Sequence, residues 1–249
     1  MKRNFLSEVI NAKKETLNRI KKGESLNPFF KEKDFFLIGE IKLSSPSTGV
    51  IKANLDIASQ IEAYEKGGAS AISVVTEEKF FNGDAELLKK VRNLTKLPIL
   101  RKDFIIDEIQ IYESFFLGAD LVLLISSILS SKKLRSFVTL CRKLGLIPLV
   151  EVHDKKDIEK AFKADVSLIG INNRNLKTLK VSIENTIRLM PVIKEIFGDK
   201  EVTVISESGI SSPDQVRKLK KSGIKGILVG YSLLTSENPL EKVRELISA

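Results

Sequence analysis

Eight short apolar runs recur along the chain, each closing on polar or charged residues. They are FFLIGEIK (35–42), AISVVTE (71–77), PILRKDF (98–104), LVLLISS (121–127), IPLVEVH (147–153), LIGINNR (168–174), VTVISES (202–208) and GILVGYS (226–232). Near-continuous runs of this kind mark strands buried on both faces, as a parallel sheet requires. Between them the period changes to that of amphipathic helices with recognisable starts. Asn54 or Asp56 can cap a helix that stops at Gly67–Gly68, and Asp84, Asp107, Ser131 and Asp154 open four more. Ser182 starts the longest helical stretch, and Ser212-Pro213 pairs a cap with proline at the first helical position. Strand starts lie roughly 20–40 residues apart, the spacing of repeated βα units.

Eight such units predict an α/β fold, a (β/α)8 TIM barrel forming a single domain over residues 1–249. Residues 1–33 precede the first strand. There Phe5, Leu6, Val9, Ile10, Leu17 and Ile20 recur at helical spacing before Gly23, which predicts an N-terminal helical extension. It either covers a barrel mouth or packs on the wall. A doubly wound open sheet also alternates strand and helix. The loop after the first strand, KLSSPSTGVI, lacks the glycine-rich turn that such a sheet places there.

Composition narrows the class further. With 43% apolar and 29% charged residues the chain is an ordinary globular protein, and stretches such as ADLVLLISSIL are too short to span a bilayer. The N-terminus lacks the apolar core of a secretory signal, and Cys141 is the sole cysteine. A cytoplasmic protein without disulfides is expected. The net charge of +9 raises nucleic acid as a partner, but most cations alternate with Glu along helix faces and few aromatics interleave with them. A small anionic substrate accounts for the charge, with neither nucleic acid nor membrane as partner.

In a parallel barrel the polar strand ends gather at one mouth, the catalytic face. Alternation puts Glu40 and Lys42 on one face of the first strand and Lys102 inward with Leu100 on the third, leaving Arg101 toward the helices. Glu151 and His153 share a face on the fifth strand. Lone histidines are most often peripheral, so His153 is given no catalytic role. The sixth strand ends in Asn172, Asn173 and Arg174, the seventh in Glu207. Lys102 and Glu151 across one pocket supply an acid and a base. Ser208-Gly209 and Gly230-Tyr231-Ser232 put small residues where backbone N–H groups can meet an anion, the last opening a short helix. One His and one Cys do not make a zinc site.

Six motifs in order carry a resemblance that spans the chain. They are Glu40-x-Lys42-x-x-Ser45-Pro46-Ser47, Leu100-Arg101-Lys102-Asp103-Phe104, Leu149-Val150-Glu151-Val152-His153, Gly170-Ile171-Asn172-Asn173-Arg174, Ser206-Glu207-Ser208-Gly209-Ile210 and Val229-Gly230. Together they resemble the indole-3-glycerol phosphate synthases of tryptophan biosynthesis. The resemblance implies ring closure on 1-(2-carboxyphenylamino)-1-deoxyribulose 5-phosphate with loss of CO2 and water, and no metal or organic cofactor. It implies Lys102 as general acid and Glu151 as base, with Glu40, Lys42, Asn172 and Glu207 orienting substrate and tuning that pair. For substrate and phosphate it implies Lys42, Ser45, Arg174, Ser208, Gly209, Gly230 and the Tyr231 N–H. The sequence departs from the family at Leu43-Ser44, where relatives often carry a basic residue, and at Tyr231, where a small residue is usual. Another phosphate-binding barrel such as a phosphoribosylanthranilate isomerase shares the last two turns but not the Glu40, Lys42, Lys102 and Glu151 set. A non-catalytic barrel is disfavoured by that set. A monomer is the expected state.

Overall fold

A computed structural model describes residues 33–46, 49–52, 55–175 and 178–249. The expected N-terminal extension, together with Ser47 and Asn54, lies outside the described residues apart from Lys33.

Eight parallel strands close into a barrel: β1 (Phe36–Ile41), β2 (Ala71–Val75), β3 (Ile99–Lys102), β4 (Leu121–Ile125), β5 (Ile147–Val152), β6 (Leu168–Asn172), β7 (Thr203–Glu207) and β8 (Gly226–Val229). β1 closes the circle by pairing with β8 from Phe36↔Gly226 to Gly39↔Val229 and with β2 from Ile38↔Ala71 to Ile41↔Val74. The open-sheet alternative is thereby excluded. Each strand stops short of its apolar run, so the polar residues sit at or just beyond the last ladder bonds.

The outer ring is formed by helices α1 (Ile57–Gly67), α2 (Glu78–Phe81), α3 (Ala85–Leu94), α4 (Glu108–Leu117), α5 (Ser131–Lys143), α6 (Lys155–Lys163), α7 (Glu184–Phe197), α8 (Pro213–Ser222), α9 (Tyr231–Leu234) and α10 (Pro239–Ile247). Asp56, Asp84, Asp107 and Asp154 cap α1, α3, α4 and α6 as expected. Ser212 and Gln215 form a reciprocal capping box at α8. Two starts differ. Ser130, not Ser131, caps α5, because its hydroxyl is the one that accepts from the Lys133 N–H, at 3.2 Å. α7 begins at Glu184 and Ile183 holds its cap position; the Ser182 hydroxyl reaches only the Glu184 N–H, at 3.4 Å.

Alternation divides the apolar residues between two cores. Side chains facing outward from the strands meet the inner faces of the helices in one large core, which includes Ile41, Val74, Val122, Val150, Ile171 and Val204. Those facing inward, among them Phe36, Ile38, Leu100, Leu121, Leu149, Leu168, Ile205 and Leu228, fill the barrel itself. Continuing the inward positions toward the strand ends leads to Glu40 on β1, Lys102 on β3, Glu151 on β5, Asn172 on β6 and Glu207 on β7. The same alternation that builds an apolar plug thus delivers the polar groups to one mouth.

Candidate active site

The mouth opens into a cavity of about 1190 Å³ lined by Glu40, Lys42, Lys102, Glu151, Asn172, Arg174, Ser208, Gly209, Gly230 and Tyr231. Phe81, Phe104, Leu123, Ile125, Ile210 and Leu228 add an apolar wall. Polar anchors at one side and an apolar slot at the other suit a substrate with an aromatic ring and anionic ends.

Lys102 is the hub. Its ammonium lies 2.6 Å from Glu207 Oε2 and 3.6 Å from Glu151 Oε2, with its side chain 19% exposed. Burial works against this cation, but Glu207, Glu151 and Glu40 outweigh it and hold the Lys102 pKa above its ordinary value. Glu207 is fully buried beneath the cavity, and its Oε1 has no hydrogen-bond partner among the described residues. Burial pushes its carboxyl up to about 7, against the pull of Lys102 and with added repulsion from Glu151 and Glu40. Gly170 makes room for it, because a Cβ there would sit 1.8 Å from Glu207 Oε1.

Glu40 and Lys42 meet at 2.8 Å. Burial raises the Glu40 pKa, yet Lys42, Lys102 and Arg174 more than offset it and leave the group below its ordinary value. A Cβ on Gly230 would lie 2.6 Å from Glu40 Oε1, so glycine there is what allows β8 to approach β1's carboxylate. From outside, the Tyr64 hydroxyl of α1 donates to the Glu40 carbonyl at 3.2 Å, and its ring lies where a Cβ on Gly39 would stand.

The turn after β7 carries two consecutive left-handed residues, Ser208 (φ 71°) and Gly209 (φ 76°). Such a turn aims successive N–H groups into a concavity suited to an anion. Asn173 does not face the cavity with Asn172. Its amide donates to the Ser206 hydroxyl (2.9 Å) and the Ser208 carbonyl (3.0 Å), and its oxygen accepts from Thr186. It fixes the turn rather than the ligand. Asn172 Oδ1 accepts from the Arg174 N–H at 2.8 Å. The short helix expected at Gly230-Tyr231 is α9, with Gly230 in its cap position. Ser45, expected near the substrate, is buried in a two-residue hairpin strand (Ser44–Ser45 with Gly49–Val50) and does not line the cavity. Leu43 packs against the core and Tyr231 is 53% exposed.

The apolar wall and the half-buried partner of Glu151 were not legible in the sequence. His153 Nε2 lies 3.3 Å from Glu151 Oε1, and its Nδ1 lies 3.7 Å from Asp157 Oδ2 on α6. A shared face with Glu151 was the one signal available. Cys141 is buried in α5 with its thiol pushed up to about 12 by that burial, and it is core filler. Among the described residues no group of three or more His, Cys, Asp or Glu side chains is placed to hold a metal ion, and no helix is long and apolar enough to cross a membrane.

Comparison with known proteins adds to this geometry. The family model for indole-3-glycerol phosphate synthase matches residues 2–246. The indole-3-glycerol phosphate synthase of Petrotoga mobilis is 41% identical over 243 residues, covering 97% of this chain and 96% of that protein. The synthase of Caldanaerobacter subterraneus subsp. tengcongensis is 46% identical over 239 residues, covering 93% and 91%. Among solved structures, 3-hexulose-6-phosphate synthase superposes with a TM-score of 0.65 at 12% identity, over 86% of this chain and 99% of that one. Thiamine phosphate pyrophosphorylase from Pyrococcus furiosus gives 0.62 at 18%, over 87% and 95%. Those two likenesses concern the barrel alone.

Proposed function

The chain belongs to the indole-3-glycerol phosphate synthase family, carboxy-lyases of tryptophan biosynthesis, and from that premise we propose how its barrel mouth carries out the reaction. The substrate is 1-(2-carboxyphenylamino)-1-deoxyribulose 5-phosphate, and the product is indole-3-glycerol phosphate. The observation that carries the assignment of roles is the pair of contacts made by Lys102, an ammonium wedged between Glu207 and Glu151 on the cavity floor.

As the ring carbon bearing the carboxylate attacks the ketone, negative charge grows on the ketone oxygen. Lys102 donates the proton that quenches it. Its raised pKa keeps the proton in place until an alkoxide, a stronger base than either neighbouring carboxylate, is formed. Glu207 holds the ammonium from below. CO2 then leaves from the ring carbon, whose C–C bond electrons return to the ring system. Loss of the remaining hydroxyl as water needs a second proton donor and removal of the ring N–H proton. Glu151 is the base, and Lys42 or Lys102 supplies the acid. Each positioned acid or base contributes about 10²–10⁴-fold.

Glu40 orients Lys42, and Asn172 reaches the substrate from β6. The phosphate is read as lying over Ser208, Gly209, Gly230 and the Tyr231 N–H, with Lys42 and Arg174 as its cations; the left-handed turn at Ser208-Gly209 supports this. Ser45 then acts through the hairpin it belongs to. The anilino ring lies along Phe81, Phe104, Leu123 and Ile210. As written, every step uses groups of the chain itself. We also read residues 1–249 as one unit, extended at 1–33, cytoplasmic and monomeric, with neither nucleic acid nor membrane as partner.

The test is turnover by purified protein in the presence of a chelator, followed by indole fluorescence. Glu151→Gln should lose at least about a hundredfold in kcat. A variant as fast as wild type would remove Glu151 from its role. Turnover of phosphoribosylanthranilate in place of this substrate would transfer the chain to the isomerase reading.

A further inference from the structure

We propose that His153 is a positioning residue for the base: an imidazolium held between Glu151 and Asp157 that fixes one oxygen of Glu151. The proposal rests on Glu151 being the base, and it concerns a residue outside the cavity lining, so it touches no substrate.

The geometry begins with the backbone. Just past the end of β5, the His153 N–H donates to Asp157 Oδ2 at 3.1 Å, while the Asp157 N–H is itself capped by Asp154 Oδ1 at 2.9 Å. This fixes the Asp157 carboxylate beside the imidazole. The ring then lies between two anions: Nε2 is 3.3 Å from Glu151 Oε1 and Nδ1 is 3.7 Å from Asp157 Oδ2. Both nitrogens are buried, and neither meets hydrogen-bond geometry with any group among the described residues, so the two carboxylates face the ring as close charges.

A neutral imidazole carries one N–H and one lone pair. Whichever tautomer formed, one buried lone pair would face a carboxylate oxygen. Only the doubly protonated ring offers a proton to both. The charges around it point the same way. Glu151 faces it from β5, Asp157 from α6 and Glu207 from β7. Two cations stand behind these acids, Lys160 at 3.7 Å from Asp157 and Lys102 across Glu151. Burial alone would lower the histidine's pKa, but its contact with Asp157 and the charges of Glu151, Asp157 and Glu207 raise it above its ordinary value.

The consequence for Glu151 is a cation on each oxygen, His153 at Oε1 and Lys102 at Oε2. The carboxylate is held in one orientation. The sign follows directly. A histidine with a raised folded pKa supplies its charge fully below its ordinary value near 6.5, and that charge is lost as pH rises through the folded value.

Two measurements test this. His153 is the only histidine in the sequence, so the imidazole nitrogen signals of tag-free, ¹⁵N-labelled protein need no assignment. The titration midpoint should lie above 6.5 and fall in Asp157→Asn. A midpoint at or below 6.5 overturns the proposal. In His153→Gln, which keeps the backbone bond to Asp157, kcat should fall roughly tenfold, less than on losing the base itself, with KM unchanged. The pH profile of kcat should lose the component that titrates with His153. A profile of unchanged shape also overturns it, even if the rate falls. A fully active Glu151→Gln would instead defeat the base assignment while leaving the NMR result standing, so the two failures separate.

Discussion

Arg101 and Lys102 are neighbours on β3, and their surroundings could hardly differ more. Arg101 points outward between barrel and helices, where its guanidinium donates to Thr76 Oγ1, the Gln110 carbonyl, Glu113, Ser114 and Asp103. Thr76 in turn donates to Asp103 at 2.6 Å, closing the network. Lys102 points inward to a floor where Glu207 Oε1 and Glu40 Oε2 are buried without hydrogen-bond partners among the described residues. One cluster is saturated and the other is not. A buried charge network is stable when every member is satisfied, and unsatisfied acceptors are costly unless something else needs them. The difference teaches which cation holds the barrel together and which is kept for a substrate.

The sharpest way to break that contrast is to exchange the losses. Lys102→Met should lower kcat by about 10²–10⁴-fold while shifting the melting temperature little, since Glu207 can take up a proton when its cation is gone. Arg101→Met should do the opposite. It strands Asp103, its side chain largely buried, beside an apolar side chain and should cost about 3–5 kcal/mol, seen as a melting temperature lower by about 10 °C with kcat largely retained wherever the variant is folded. If the two variants traded these outcomes, the division of labour on β3 would be wrong.

Gly170→Ala probes the floor without touching a charge. Its new methyl must displace Glu207, so kcat should fall by roughly one to two orders of magnitude and stability by about 1–3 kcal/mol, read from turnover and denaturant unfolding. A variant with normal kcat would mean that the position of Glu207 does not matter to Lys102. A gentler perturbation is pH. Glu207 is raised from 4.5 to about 7 in the folded protein, so its contribution to stability is fullest below 4.5 and declines as pH rises through that window. Urea unfolding from pH 5 to 7 should show this declining component in wild type and lose it in Glu207→Gln. Smallest of all is Tyr231→Ala. Only the backbone N–H is asked to meet the phosphate, and the half-exposed ring adds little, so KM should stay within about threefold, under 1 kcal/mol. A tenfold rise would assign the ring a contact.

Much of this was legible before any coordinates. Near-continuous apolar runs gave all eight strands, and two-residue alternation placed Leu100 with Lys102 inside and Arg101 outside. What alternation specifies is a side of the sheet; it says nothing about azimuth around a closed barrel. The reading therefore found Lys102, Glu151 and Glu207 at one mouth without finding that Glu207 lies closest to Lys102. Nothing in the sequence shows which carboxylate Gly170 makes room for, because that neighbour comes from the next strand. His153 was set aside as a lone histidine, and Asp157 reaches it only after α6 folds back on β5. The hairpin at Ser44–Ser45 and the single turn of α2 were too short to produce any period. The cap at Ser130 was missed by one residue because three serines and polar neighbours flank that start.

Glu40 on the first strand rests against Gly230, just beyond the last. The two come from opposite ends of the described chain, and their meeting is also the closure of the barrel. A ribosome-bound chain that has not yet released its eighth strand holds Lys102 and Glu151 but lacks the wall that completes the mouth. Binding competence is thus tied to a contact of long sequence separation, the kind that forms slowly and late. Partly made or C-terminally clipped copies would be silent rather than poorly controlled, with an open β1 edge inviting association instead of catalysis.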